Sequence, residues 1–235
     1  MKKTLLKILR QQKDMGRSSF PPVQRRKVTV PQASESGREK ELGELRKISE
    51  KCHKCPLIKS RINFVFGEGH PGAGLMFVGE GPGYEEDRQG RPFVGRSGQL
   101  LTKIIEAMKM KREEVYITNI AKCHPVKDPL HPESRGNDRP PSPEETAACF
   151  PILLEQIRII RPEIICCLGA SASQAMLRTE KGITSLRGRF YPYKPFPEEA
   201  YTVEIIPTYH PAYLLRNPAA KKDCWKDMQM IMEKL

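Results

Sequence analysis

The residues whose types and spacing fit them for chemistry fall in separate stretches of the chain. Cys52-His53-Lys54-Cys55 sets a pair of thiols in a C-x-x-C arrangement just before Pro56. Two thiolates at that spacing can face one metal centre, but clusters and structural zinc sites take four ligands. The missing partners must come from Cys123, Cys149, Cys166, Cys167 and Cys224, and a redox dithiol or a zinc half-site fits the pair equally. A second stretch, residues 79–87, loads a Gly/Pro turn with Glu80, Glu85, Glu86 and Asp87. Pro92-Phe93-Val94-Gly95 then sets an aromatic ring inside a polar loop, where it needs a flat partner or a core to cover it. Asn119 and His210 each follow an apolar run, a position that suits either a site residue or a turn.

Strands and helices must hold these groups. Leu75 to Val78 is a short apolar run bounded by glycines and reads as a buried parallel strand, with Gly79, Gly81 and Gly83 letting the backbone approach a ligand beyond it. In open α/β sheets, ligand chemistry sits at such strand ends. Leu100, Leu101, Ile104, Ile105 and Met108 recur at helical spacing and predict a helix over residues 97–110. Glu114 to Ile120 is a second strand that delivers Thr118 and Asn119, and residues 124–141 lack any period and form a loop. Ser142-Pro143-Glu144-Glu145 carries the signature of a helix start, with Cys149 two turns in and Arg161-Pro162 as the stop.

Ile164 to Leu168 is a third strand. Its neighbours Cys166 and Cys167 point to opposite faces and read as core fillers rather than ligands of one centre. A short helix from Gly169 offers a weakly signalled phosphate site, Val203 to Thr208 is the last strand, and residues 219–235 close the chain as a helix. Leu42, Leu45 and Ile48 mark an amphipathic helix over residues 38–51. The alternation predicts a three-layer α/β/α fold around a central, mostly parallel four-stranded sheet. The domain spans residues 38–235, and residues 1–37 form a basic, flexible arm.

Charge and cysteine usage narrow the class. The formal net charge of +12 favours a polyanionic partner such as nucleic acid. Lys7 interrupts the apolar residues of Met1 to Asp14 and no small-residue cleavage site follows, which argues against a signal peptide. No apolar stretch approaches the roughly 20 residues needed to span a bilayer. The expectation is a soluble, cytoplasmic monomer whose seven cysteines stay reduced and so raise metal or cluster ligation.

Several ordered motifs point the same way. Gly79-Glu-Gly-Pro-Gly with Glu86-Asp87, Pro92-Phe-Val-Gly-x-Ser-Gly, Thr118-Asn119 and His210-Pro-Ala-x-x-Leu-Arg-Asn-Pro resemble the family 4 uracil-DNA glycosylases, the iron–sulfur branch of that superfamily. The resemblance covers about residues 39–235. It implies a monofunctional glycosylase that flips uracil out of single- or double-stranded DNA, hydrolyses the N-glycosidic bond and leaves an abasic site. It implies a [4Fe-4S] cluster on Cys52, Cys55, Cys123 and Cys149, with zinc as the alternative. Phe93 would stack on uracil, Asn119 would pair with its edge, and His210 would donate to the carbonyl that gains charge. Glu80 would orient the water, Glu86 would line the uracil C5 edge against a thymine methyl, and Asp87 would brace the loop. Leu214 or Leu215 would wedge into the base stack and Arg216 would meet phosphate.

The chain also departs from that family. Gly81 stands where Ala is usual, and 25 residues separate Cys123 from Cys149, more than the family's interval. A related branch traps uracil DNA covalently through a histidine in this region; His131 and Arg135 are present, but its Lys-Arg-Arg-Ile-His pattern is not. A catalytically silent iron–sulfur protein that binds nucleic acid and a small electron-transfer protein are the remaining alternatives.

Overall fold

The computed structural model describes residues 34–235; most of the expected arm, residues 1–33, lies outside them. In chain order the elements are α1 (Glu35–Ser49), β1 (Glu68–Gly69), β2 (Leu75–Gly79), α2 (Tyr84–Gln89), α3 (Arg96–Ala107), β3 (Tyr116–Asn119), α4 (Pro143–Ile160) and β4 (Ile164–Leu168). They continue with α5 (Ala170–Leu177), α6 (Ile183–Leu186), β5 (Tyr191–Tyr193), β6 (Val203–Thr208), α7 (Pro211–Arg216) and α8 (Lys221–Lys234). Helix α1 starts at Glu35 on a Ser34 cap, inside the span read as arm, and its last turn leaves Ile48 73% exposed.

The sheet corrects the expected strand number. It has six strands in the order β1-β3-β2-β4-β6-β5 rather than four. The inner four are parallel, as expected, while β1 and β5 add to the edges antiparallel. The edge strands are two and three residues long, too short to express a period in the sequence.

Buried parallel strands read as apolar runs because both faces are covered. Every residue of β2, β3 and β4 is buried. Met76, Val78 and Cys167 pack on one side with α1, α4 and α5, while Leu75, Phe77 and Cys166 pack on the other with α3, α7 and α8. The two adjacent cysteines of β4 thus fill opposite cores, as the strand period requires. Burial pushes both thiols up, so neither is a reactive group.

Ser142 caps α4 as its sequence predicts: its Oγ accepts from the Glu145 N–H at 3.2 Å, and Glu145 Oε2 accepts from the Ser142 N–H at 2.8 Å. The chain winds from β2 to β3 on one side, then crosses to β4 on the other. That reversal opens a crevice at the carboxyl ends of the strands.

Candidate active site

A cavity of about 480 Å³ fills that crevice and is lined by Glu80, Gly81, Gly83, Glu86, Phe93, Asn119, His210 and Arg216. Each strand end contributes: Glu80 follows β2, Asn119 ends β3, Gly169 follows β4 and His210 follows β6. Gly79 is required for the packing of the floor, because a Cβ there would lie 2.4 Å from Asn119 Oδ1 and 2.5 Å from Phe93 Cζ. Gly81 is not: its nearest neighbours would stand 3.5 Å away, ordinary van der Waals contact.

Phe93 has its ring buried and its backbone in the left-handed region, φ 50°, which is strained for a side chain of this size. Charged groups clamp the loop from both flanks. Glu86 Oε1 accepts from the Val94 and Gly95 N–H groups at 2.9 and 3.0 Å, while its Oε2 accepts from Gly83 at 3.2 Å. On the other flank Arg112 donates to the Pro92 carbonyl at 2.6 Å and to Glu68 at 2.9 Å. Both oxygens of Glu86 are therefore spent on backbone amides, so it ties the Gly83 turn to the Phe93 loop while lining the cavity. Asp87 braces the loop from below, accepting from the Ile62 and Asn63 N–H groups.

Asn119 is buried, yet its Oδ1 has no hydrogen-bond partner among the described residues. Unpaired buried acceptors cost stability and await a ligand donor or water. His210 caps α7, with Nδ1 accepting from the Ala212 N–H at 3.1 Å. An accepting Nδ1 puts the proton of a neutral ring on Nε2, leaving a donor on the cavity-lining ring. Burial pushes this imidazole down to about 4, and the Arg216 charge adds to the effect, so the ring is neutral at pH 7. Its centroid lies 5.7 Å from that of Phe93. Glu80 accepts a hydrogen bond from Ser171 in the first turn of α5, a link across the crevice between the ends of β2 and β4.

The rim is built from two regions. The 124–141 loop is ordered around Asn137, whose side chain donates to the Asp128 and His131 carbonyls at 2.9 and 3.0 Å. Its base lines the cavity through Pro125, Asp138, Arg139 and Pro140. His124 is buried with Asp138 at 2.6 Å and Asp87 at 3.8 Å. Burial opposes its charge, but the two carboxylates outweigh it and push the ring up to about 9. His131 is exposed, pairs with Asp128 at 2.8 Å and is not among the residues that line the cavity.

The second region, α7, corrects the expectation of two exposed leucines. Leu214 is 1% exposed and packs in the core with Leu101, Ile105 and Cys224, whereas Leu215 is 38% exposed. Pro211–Arg216 winds into a helix in which Pro211 and Leu214 share the inward face. Leu215 is the exposed leucine of the pair, beside the exposed Arg216.

A separate small pocket is lined by Cys52, Cys55, Cys123 and Cys149 together with Ile58, Phe64 and Ala148. The four cysteines come from the start of a 3-10 turn, the loop after β3 and the second turn of α4. Cys123 accepts from Arg61 at 3.5 Å and Cys149 from the Lys122 N–H at 3.2 Å. No group of His, Cys, Asp or Glu among the described residues is drawn together tightly enough to hold a single metal ion. The donor set itself, four sulfurs in an apolar lining with hydrogen bonds to two of them, fits a thiolate-held iron–sulfur group.

The model of the uracil DNA glycosylase superfamily matches residues 66–229. The chain belongs to this superfamily. Among curated relatives, the type-4 uracil-DNA glycosylase of Thermotoga maritima is 46% identical over 72% of this chain and 80% of its own. That of Sulfurisphaera tokodaii is 42% identical over 80% of this chain and 84% of its own, and that of Archaeoglobus fulgidus 37% identical over 77% and 87%. The matches place the chain within the type-4 branch of the uracil DNA glycosylase superfamily.

None of Ser171, Arg112 and His124 was singled out in the sequence. Ser171 lines the cavity and Arg112 and His124 brace its surroundings, through side-chain partners 91, 44 and 14 residues distant, and no local period points to any of them. Ser171 alone had a signal, since it opens a helix after a strand of the parallel sheet.

Proposed function

We propose that the protein removes uracil from DNA by hydrolysing the N-glycosidic bond, and that it leaves an abasic site with the strand intact. The observation that carries this reading is the unpaired, buried Asn119 Oδ1 in a cavity shared with the Phe93 ring and a neutral His210. A base inside a duplex is out of reach, so the nucleotide flips into the cavity. Phe93 stacks on the ring. Asn119 Oδ1 accepts the uracil N3–H while its amide nitrogen donates to O4, a pairing that cytosine's edge does not offer.

Bond cleavage leaves positive charge on the sugar and negative charge on uracil. His210 donates from Nε2 to O2, where that charge develops, and being neutral it stabilises the anion without giving up its proton. Glu80, held by Ser171, orients the water. Gly81 and Gly83 present backbone to the base, and Glu86 fills the C5 edge where thymine's methyl would sit. Leu215 holds the gap in the stack and Arg216 meets phosphate.

Cys52, Cys55, Cys123 and Cys149 would hold a [4Fe-4S] cluster, whose contribution is to brace the segments that carry them. The chain's own residues carry every step at the base.

The test is anaerobically purified protein incubated with labelled single- and double-stranded uracil oligonucleotides, with and without hot alkali. Alkali-dependent cleavage and free uracil are expected. Intact strands with a cluster-loaded protein overturn the reading, and a protein–DNA band that survives denaturation would replace hydrolysis with covalent capture.

A further inference from the structure

A buried amine stands between the two pockets and takes no part in the chemistry above. Lys122 is fully buried, and its Nζ donates to Thr118 Oγ1 at 2.5 Å, to the Asn119 main-chain carbonyl at 2.8 Å and to Gln156 Oε1 at 2.7 Å. Three oxygens thus surround the amine nitrogen. Gln156 lies on α4, the helix that carries Cys149, and its own amide donates to the Phe66 carbonyl at 2.8 Å and to Tyr116 Oη at 3.1 Å. The Lys122 main-chain N–H reaches the other way, to Cys149 Sγ at 3.2 Å.

None of the three oxygens is a carboxylate, so the amine has no counter-ion among them to offset its loss of water. A methionine would fill the same space without that cost. What the amine adds is position. Asn119 Oδ1 has no donor among the described residues to orient it, so the direction of its amide depends on where the main chain of residue 119 is held. Lys122 holds that carbonyl, and through Gln156 it fixes it to α4.

We infer that Lys122 is a positioning residue for base recognition: it locks the Asn119 end of β3 to the helix of Cys149, so that the uracil-reading amide and the four-thiol pocket keep a fixed relation. This inference rests on the proposed role of Asn119. It predicts that loss of the amine weakens uracil recognition while DNA-backbone binding survives.

The experiment uses the full, cluster-loaded chain and compares Lys122→Met, Gln156→Met and, as a benchmark, Asn119→Ala. Free uracil binding is read by calorimetry, abasic-site DNA binding by titration, iron by content per chain, and kcat and KM separately, all well below each variant's melting midpoint. Lys122→Met is expected to lower uracil affinity and kcat by about tenfold or more, the scale of a small misplacement of a recognition group. Abasic-site DNA affinity and iron content should stay within about twofold. Gln156→Met, which leaves the lysine but cuts its side-chain tie to α4, should shift uracil affinity in the same direction by about threefold.

If Asn119→Ala weakens uracil binding and Lys122→Met, folded and iron-loaded, does not, Lys122 is only a structural residue and the inference fails. Should Lys122→Met not fold, Gln156→Met decides alone, and unchanged uracil affinity there overturns it. A benchmark variant that binds uracil normally would instead overturn the role of Asn119 itself.

Discussion

The strand-end cavity and the four-thiol pocket lie on either side of residues 119–123, and they are built on opposite principles. The cavity is roomy, about 480 Å³, is lined by Glu80, Glu86, Asn119 and His210 among others, and leaves Asn119 Oδ1 without a partner among the described residues. The thiol pocket is small, and apart from its sulfurs is lined by Ile58, Phe64 and Ala148. A site that must recognise a polar base keeps hydrogen-bonding capacity in reserve at a cost in stability, while a site that holds a cofactor shields its donors. Substitutions in the first should therefore remove function and spare the fold, and substitutions in the second should do the reverse.

The largest expected effect lies in the cavity. His210→Ala is expected to lower kcat by about 10²–10³-fold, the scale of losing one preorganised donor to a developing anion. Its melting temperature should stay within about 3 °C of the parent. Excision assays beside thermal melts check this, and a variant with full kcat would remove His210 from the mechanism.

In the thiol pocket, Cys149→Ser is expected to cost bound iron and about 3 kcal/mol of stability, roughly 10 °C in melting temperature. Cys167→Ala, in the core of the sheet, should keep its iron and lose about 1–2 kcal/mol. Iron content and calorimetry separate them. Equal iron loss in both would break the contrast between the pocket and the core.

Helix α7 carries both behaviours on adjacent residues. Leu214→Ala should destabilise the fold by about 2–4 kcal/mol, because the side chain is fully packed. Leu215→Ala should stay within about 0.5 kcal/mol of the parent and weaken excision from duplex more than from single strands. Denaturant titration with paired excision assays reads both.

The smallest expected effect is an absence of change. Burial holds His210 near 4, so the ring stays neutral as pH falls through 6.5, and kcat should show no break between about pH 5 and 8 from this group. The linked stability has a definite sign. The unfolded chain takes up the proton near 6.5 and the folded chain only near 4, so the contribution is whole above 6.5 and is lost as pH falls towards 4. A break near 6.5 that vanishes in His210→Gln would contradict this.

Much of the architecture was legible because its signals are local. The apolar runs of β2, β4 and β6, the cap at Ser142 and the opposed faces of Cys166 and Cys167 follow from strand and helix periods. The edge strands β1 and β5 were not, since their existence depends on a neighbour offering unpaired backbone groups. The choice between Leu214 and Leu215 was not legible for a related reason: which of two adjacent leucines turns inward is set by the packing of α7.

By itself the sequence determined the inventory: which groups can ligate, stack or hydrogen-bond, which runs become strands, and which family motifs stand in order from Gly79 to Pro218. Tertiary structure alone decided the partnerships. Glu86 binds backbone amides eight and nine residues away, His124 sits between two carboxylates, Lys122 bridges β3 to α4, and Asn119 Oδ1 is left without a partner among the described residues. The reason is physical: periodicity is written in neighbouring residues, whereas a side chain's hydrogen-bond partner is chosen by strand order and layer packing, which bring together groups that the chain keeps far apart.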